Sequence, residues 1–125
     1  MAVRLIRNGH EVVGYSLSED DRRRAGGNGV EVGATLDELA AALEPPRAVW
    51  LMLPAGDPTE STMRDLAGSL DQGDVVVDGG NSNFTDSVRR AAALEESGIA
   101  FLDVGVSGGI WGLEEGYCMM VGGAA

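Results

Sequence analysis

Short apolar runs alternate with helix-patterned stretches along this chain, and glycine-rich turns follow the runs of its second half. That alternation is the tightest constraint on the fold. Ala48 to Leu53 is apolar without a break, the mark of a strand covered on both faces. Val75 to Val77 and Ile99 to Val104 read as further buried strands, Glu11 to Tyr15 as a short one, and Tyr117 to Val121 as the last, closed by Gly122 and Gly123. A brief strand fits Val30 to Val32. Met1 to Asn8 reads as the end of a helix, with Gly9 placed to terminate it. Ser18 caps a short helix, and Thr35 with Glu38 forms a capping box that opens another, stopped by Pro45 and Pro46. Thr59 to Leu70 carries Met63, Leu66 and Leu70 on one face, and a helix capped by Asn83 or Thr85 reaches about Glu96. Strands and helices at these spacings fit right-handed crossovers, so an α/β, doubly wound, mostly parallel sheet is expected.

Composition narrows the function. The chain has 125 residues, which suits one domain, and a net charge of −11. All nine basic residues are arginine. An acidic surface argues against nucleic acid, whose phosphates need clustered cations. The cluster Arg22, Arg23 and Arg24 follows Glu19, Asp20 and Asp21 and reads as a solvated, locally paired helix face. Without lysine, the chain supplies no lysine base or Schiff base. No apolar run approaches the ~20 residues of a membrane span, and no signal-peptide layout is present, so a cytoplasmic protein is expected. No metal-ligand cluster stands out. Cys118 reads as a buried core thiol, Trp50 and Trp111 as packing residues, and His10 as a surface residue.

In sheets of this kind ligands sit beyond the carboxyl ends of the strands. Four turns therefore matter. Ser16, followed by Leu17 and Ser18, stands where a dinucleotide-binding domain reads the adenosine ribose, and a serine there serves either NAD or NADP. Pro54-Ala55-Gly56 either lets backbone approach a nicotinamide or is a plain strand-to-helix turn. Asp78-Gly79-Gly80-Asn81-Ser82-Asn83 sets a glycine pair and an Asn, donor and acceptor at once, after a buried strand; the plain alternative is a helix cap. Gly105-Val106-Ser107-Gly108-Gly109 offers a hydroxyl and backbone N–H groups to a small substrate, and Ser107 as an acyl-transfer nucleophile is the sharper rival.

Read in order, Pro54-Ala55-Gly56, Asp78-Gly79-Gly80-Asn81-Ser82, Asp103 to Gly109 and Trp111-Gly112-Leu113-Glu114-Glu115-Gly116-Tyr117 resemble the decarboxylating 6-phosphogluconate dehydrogenases, most closely their shorter bacterial branch. The resemblance covers essentially the whole chain and implies the N-terminal, Rossmann-like NAD(P)-binding domain. The family oxidises C3 of 6-phosphogluconate with NAD or NADP, then releases CO₂ to give ribulose 5-phosphate. By resemblance, Leu53, Pro54 and Ala55 line the nicotinamide. Asn81 touches cofactor and substrate, Ser107, Gly108 and Gly109 hold the phosphorylated sugar acid, and Ser16, Leu17 and Ser18 face the adenosine ribose. The family's first strand and Gly-x-Gly-x-x-Gly turn precede the helix that here starts at Met1, so residues 1–125 are expected to be a partial domain lacking both. The family's catalytic lysine and acid, and its all-helical second domain, lie beyond Ala125. No catalytic residue is thus expected within this chain, which on its own is expected to be inactive, although full-length members are homo-oligomeric enzymes. The related β-hydroxyacid dehydrogenases, such as 3-hydroxyisobutyrate dehydrogenase, share the Ser-Gly-Gly turn and are the first alternative. A non-catalytic nucleotide-binding remnant is the second.

Overall fold

A computed structural model describes residues 1–124 and divides the chain into two compact units. One comprises Met1–Leu43 and Gly108–Tyr117; the other comprises Glu44–Ser107 and the residues from Cys118 onward. The fold is α/β, and every strand pair but one is parallel.

The first unit holds helix α1 (Ala2–Arg7), strand β1 (Val13–Gly14), helix α2 (Glu19–Gly27), strand β2 (Glu31–Val32) and helix α3 (Leu36–Ala41). β1 and β2 pair in parallel. Helix α1 ends as expected, with Gly9 at φ +85°, a conformation that a Cβ disfavours. Strand β1 is shorter than the expected Glu11 to Tyr15, and its residues are only half-buried. Its single partner is itself two residues long, so little ladder can form. Ser18 caps α2, its hydroxyl accepting from Asp21 N at 3.2 Å. Thr35 caps α3, accepting from Glu38 N at 3.1 Å, while the Glu38 carboxylate accepts from Ala34 N at 2.7 Å. The expected box therefore closes one residue upstream of Thr35.

The second unit is a four-stranded sheet in the order β3 (Ala48–Leu51), β4 (Val75–Asp78), β5 (Ala100–Ser107), β6 (Cys118–Gly123), with helices α4 (Asp57–Ala67) and α5 (Phe84–Glu95) in the crossovers. β3, β4 and β5 run parallel, and β6 closes the edge antiparallel. Leu51, Asp78 and Asp103 lie side by side in register, so the chain leaves β3 and β4 at the same end of the sheet. The core gathers Met63, Leu66 and Leu70 from α4 and its exit, Val76 and Val77 from β4, Leu94 from α5, and Phe101 and Val104 from β5. β3 was expected to be covered on both faces, yet Ala48 is exposed and Trp50 half-buried, with only Val49 and Leu51 inside. β6 is exposed along its length, as an edge strand with one neighbour can be. That placement corrects the expectation for Cys118, which is exposed and not a core thiol. It also ends the expected closure at Gly122 and Gly123, which lie within β6.

Candidate functional site

In the second unit the chain leaves β4 through a turn that its neighbours shape atom by atom. Gly79 N donates to Leu51 O at 2.8 Å, extending the β3–β4 ladder by one bond. A Cβ on Gly80 would lie 2.3 Å from Leu53 O, so only glycine lets this turn lie against the end of β3. The next residue, Asn81, has φ +61° and is the one non-glycine residue with positive φ among those described. Its side chain is exposed and makes no hydrogen bond. The plain helix-cap alternative belongs to a neighbour: Asn83 Oδ1 caps α5, accepting from Thr85 N at 3.0 Å. Asn81 thus holds a strained backbone conformation while keeping both amide functions open to a ligand. Across the turn, Pro54 and Ala55 are exposed and Leu53 half-buried. The wholly buried Thr59 donates from its hydroxyl to Pro54 O at 2.9 Å and fixes that turn onto α4.

Beneath the Asn81 turn lies a charge network that sequence reasoning did not find. Asp78, fully buried, accepts from Gly80 N at 3.0 Å through one oxygen and from the Ser82 hydroxyl at 2.6 Å through the other. Arg90 donates to Asp78 at 3.2 Å and to Ser82 at 3.0 Å, and its Nε donates to Glu60 at 3.1 Å. Arg89 closes on Glu60 with two bonds of 2.8 Å. The hydrogen bonds from Arg89, and then from Arg90, pull the Glu60 carboxyl down to about 2, and Glu60 in turn holds the Arg89 guanidinium above its usual range. A signal was present: Arg90 lies on the stripe of α5 that also carries Ser87 and Leu94, where a cation must find a buried partner.

Strand β5 runs on through Ser107, because β6 pairs with it as far as Ser107 and Cys118. The expected turn therefore starts at Gly108, and Gly105 to Ser107 belong to the strand. Ser107 is exposed at the strand's end, and its hydroxyl has no hydrogen-bond partner that could serve as a base, so the nucleophile reading has no support. Gly108 and Gly109 belong to the first unit, where they lead into a 3-10 helix, Gly109–Leu113. A Cβ on the buried Gly112 would stand 2.1 Å from the Tyr117 ring, so this helix packs directly on Tyr117. Arg4 donates to Leu113 O and Glu114 O at 2.8 and 3.0 Å, pinning the same segment to α1. Gly109 faces open space. Trp111 is 69% exposed, which corrects its expected packing role.

Ser16, Leu17 and Ser18, expected beside the adenosine ribose, are also in the first unit. Ser16 Oγ accepts from Ser18 N at 3.2 Å, Ser18 is spent on the α2 cap, and Leu17 is exposed. Arg23 pairs with Glu19 and Asp20, and Arg24 with Asp21, the local pairing expected. Arg22 differs. It is half-buried and donates to Ser16 O and Leu17 O, bracing the turn that follows β1. An open cleft of about 440 Å³ lies between α2 and β2, lined by Arg22, Arg23, Gly26, Val30, Val32 and Gly33 among others. His10 is exposed, as expected. Among the described residues there is no cluster of His, Cys, Asp or Glu able to hold a metal, and no helix is long and apolar enough to cross a membrane.

The second unit thus sets a close turn at Leu53 to Ala55 beside an Asn with an open donor and acceptor. A family model described as the NAD binding domain of 6-phosphogluconate dehydrogenase matches residues 1–125. The NAD(+)-dependent decarboxylating 6-phosphogluconate dehydrogenase of Haloferax volcanii is 46% identical over 120 residues, covering 96% of this chain and 39% of that protein. Among solved structures, Plasmodium falciparum 6-phosphogluconate dehydrogenase, described in apo form and in complex with NADP+ and with 6-phosphogluconate, aligns with a TM-score of 0.87 at 29% identity, over 98% of this chain and 27% of that one. Mycobacterium tuberculosis 3-hydroxyisobutyrate dehydrogenase, described with L-serine, also gives 0.87, at 28% identity, over 98% of this chain and 42% of that one. The chain spans less than half the length of these relatives. On the match along its whole length, the chain belongs to the family of NAD-binding domains of 6-phosphogluconate dehydrogenase.

Proposed function

We propose that this chain is the NAD(P)-binding portion of a dehydrogenase that oxidatively decarboxylates 6-phosphogluconate to ribulose 5-phosphate. The observation that carries the reading is Asn81: left-handed, exposed, unengaged, and one residue from the Gly80 turn that lies against Leu53 O. A carboxamide there donates to one partner and accepts from another, as a group bridging cofactor and sugar acid must. When bound, the nicotinamide accepts the hydride. Leu53, Pro54 and Ala55 orient its ring, Ser107, Gly108 and Gly109 receive the phosphorylated sugar acid, and Ser16, Leu17 and Ser18 meet the adenosine ribose. The proposal assigns no catalytic residue to this chain, whose basic residues are all arginine. The proposal places residues 1–125 in the NAD(P)-binding domain of a cytoplasmic, homo-oligomeric enzyme.

Isotope-labelled chain titrated with NAD, NADP and 6-phosphogluconate tests this directly. Amide signals of Asn81 and Ala55 should move with dinucleotide, and those of Asn81, Ser107 and Gly109 with 6-phosphogluconate. The purified chain should not reduce NADP with 6-phosphogluconate, and steady turnover would refute the assignment of all catalytic groups to elsewhere. The likeness to 3-hydroxyisobutyrate dehydrogenase supports one rival. A response of Ser107 and Gly109 to 3-hydroxyisobutyrate, with none to 6-phosphogluconate, would replace the sugar acid by that smaller hydroxy acid.

A further inference from the structure

We propose that Asp78 and Arg90 are positioning residues whose task is to hold Asn81 in its left-handed, ligand-facing conformation. The proposal rests on the reading of Asn81 given above and goes beyond it by naming what keeps that residue poised. A non-glycine residue at φ +61° lies in a sparsely populated region, and such a conformation persists only where its surroundings over-determine it. Here the determination is visible on both sides of Asn81. The residue before it is fixed by Gly80 N donating to Asp78 Oδ1, and the residue after it by Ser82 Oγ donating to Asp78 Oδ2. One buried carboxylate therefore spans the turn, leaving Asn81 as the bulge between two anchored neighbours. Its own side chain contributes no hydrogen bond to the hold.

The hold is braced from below by Arg90, itself only 3% exposed, which donates to the same Oδ2 and to Ser82. Arg90 is oriented in turn by Glu60 on α4, the helix whose Thr59 also fixes the Pro54 turn. The two turns at the ends of β3 and β4 thus hang on neighbouring residues of one helix through Thr59, Glu60, Arg90 and Asp78. A buried network of this sort contributes little net stability compared with apolar packing, which leaves geometry as its return. No buried polar side-chain atom among the described residues lacks a partner, so the network is complete as it stands.

The test is nuclear magnetic resonance on the labelled chain with Ser82→Ala, Arg90→Lys and Asp78→Asn. The readouts are the strong intraresidue amide-to-Hα NOE of a left-handed Asn81 and the hydrogen exchange of the Gly80 amide. Exchange at Val76 and Ala100, within the β4–β5 ladder, reports whether the sheet itself is intact. Positioning predicts weakening of the Asn81 NOE and Gly80 exchange faster by roughly tenfold or more, with the ladder amides unchanged. Ser82→Ala, the mildest change, secures the test if the buried-charge variants do not fold. In that variant, an Asn81 NOE and Gly80 exchange like those of wild type would overturn the proposal. So would losses at Val76 and Ala100 as large as at Gly80, which is the mark of a merely structural role. The underlying reading fails separately: wild-type Asn81 unmoved by dinucleotide and by 6-phosphogluconate removes the ligand, whereas an unchanged turn in the variants removes the positioning.

Discussion

Replacing Gly80 by alanine tests the turn geometry most sharply. Its Cβ would lie 2.3 Å from Leu53 O, about 1 Å inside an ordinary contact of 3.4 Å. The obstacle is backbone, so no side-chain rotation relieves it. Either the end of β3 or the Gly80 turn must move by about that distance, and the second course lengthens the 3.0 Å bond from Gly80 N to Asp78 Oδ1 beyond use. Overpacking costs about 1–3 kcal/mol and a hydrogen bond to a charged group about 1.5–3 kcal/mol, so partial relaxation gives a loss of about 3 kcal/mol. Gly73→Ala in the same unit is the control: φ is +95° but nothing lies within 4 Å, leaving only backbone strain of about 1 kcal/mol. Urea unfolding followed by circular dichroism measures both, and at about 2 kcal/mol per molar the Gly80 variant should lose about 1.5 M in midpoint. If Gly80→Ala is no more destabilised than Gly73→Ala, the close approach of the β4 turn to Leu53 is wrong.

Leu66, with no exposed surface, should cost about 2–5 kcal/mol as Leu66→Ala in the same unfolding assay, and a loss below 1 kcal/mol would deny it a place in the core. Stability should fall with acid. The Glu60 carboxyl drops from 4.5 to about 2 in the folded chain. Burial pushes Asp74 up, but hydrogen bonds from Asp71 N, Arg47 N and the Arg47 guanidinium outweigh that and hold it low as well. Both folded values lie below the unfolded ones, so the stabilisation is fully present above about pH 4.5 and is lost as pH falls toward 2. For Glu60, partly exposed, this is about 1 kcal/mol, and a Glu60→Gln chain whose acid profile matches wild type would contradict the pairing. Cys118, exposed on the edge strand, should react with a thiol reagent in the native chain as completely as in urea; protection in the native state would return it to the core.

Much of the architecture was legible because it depends on local pattern. Apolar runs at Ala48, Val75 and Ile99 located β3, β4 and β5, and Ser18, Thr35 and Asn83 capped the helices they were expected to cap. The turns at Pro54 and Asp78 were legible too, since glycines following a buried strand have few other uses. Misreadings fell where a partner strand decides. β5 outran its apolar stretch because β6 supplied ladder partners through Ser107, and the same edge position exposed Cys118, Met119 and Met120 although their composition reads as core.

By itself the sequence determined the α/β alternation, the acidic and lysine-free character, and the position of the glycine-bearing turns after β3 and β4, because periodicity, charge and turn chemistry are written locally. Only the tertiary structure decided that Asn81 is left-handed, and that Glu60, Arg90 and Asp78 meet beneath the turn. Arg90 stands 30 residues from Glu60 and 12 from Asp78, separations at which no spacing rule operates. Their meeting follows from packing α4 and α5 against the sheet, where a buried cation persists only beside the carboxylates that can neutralise it.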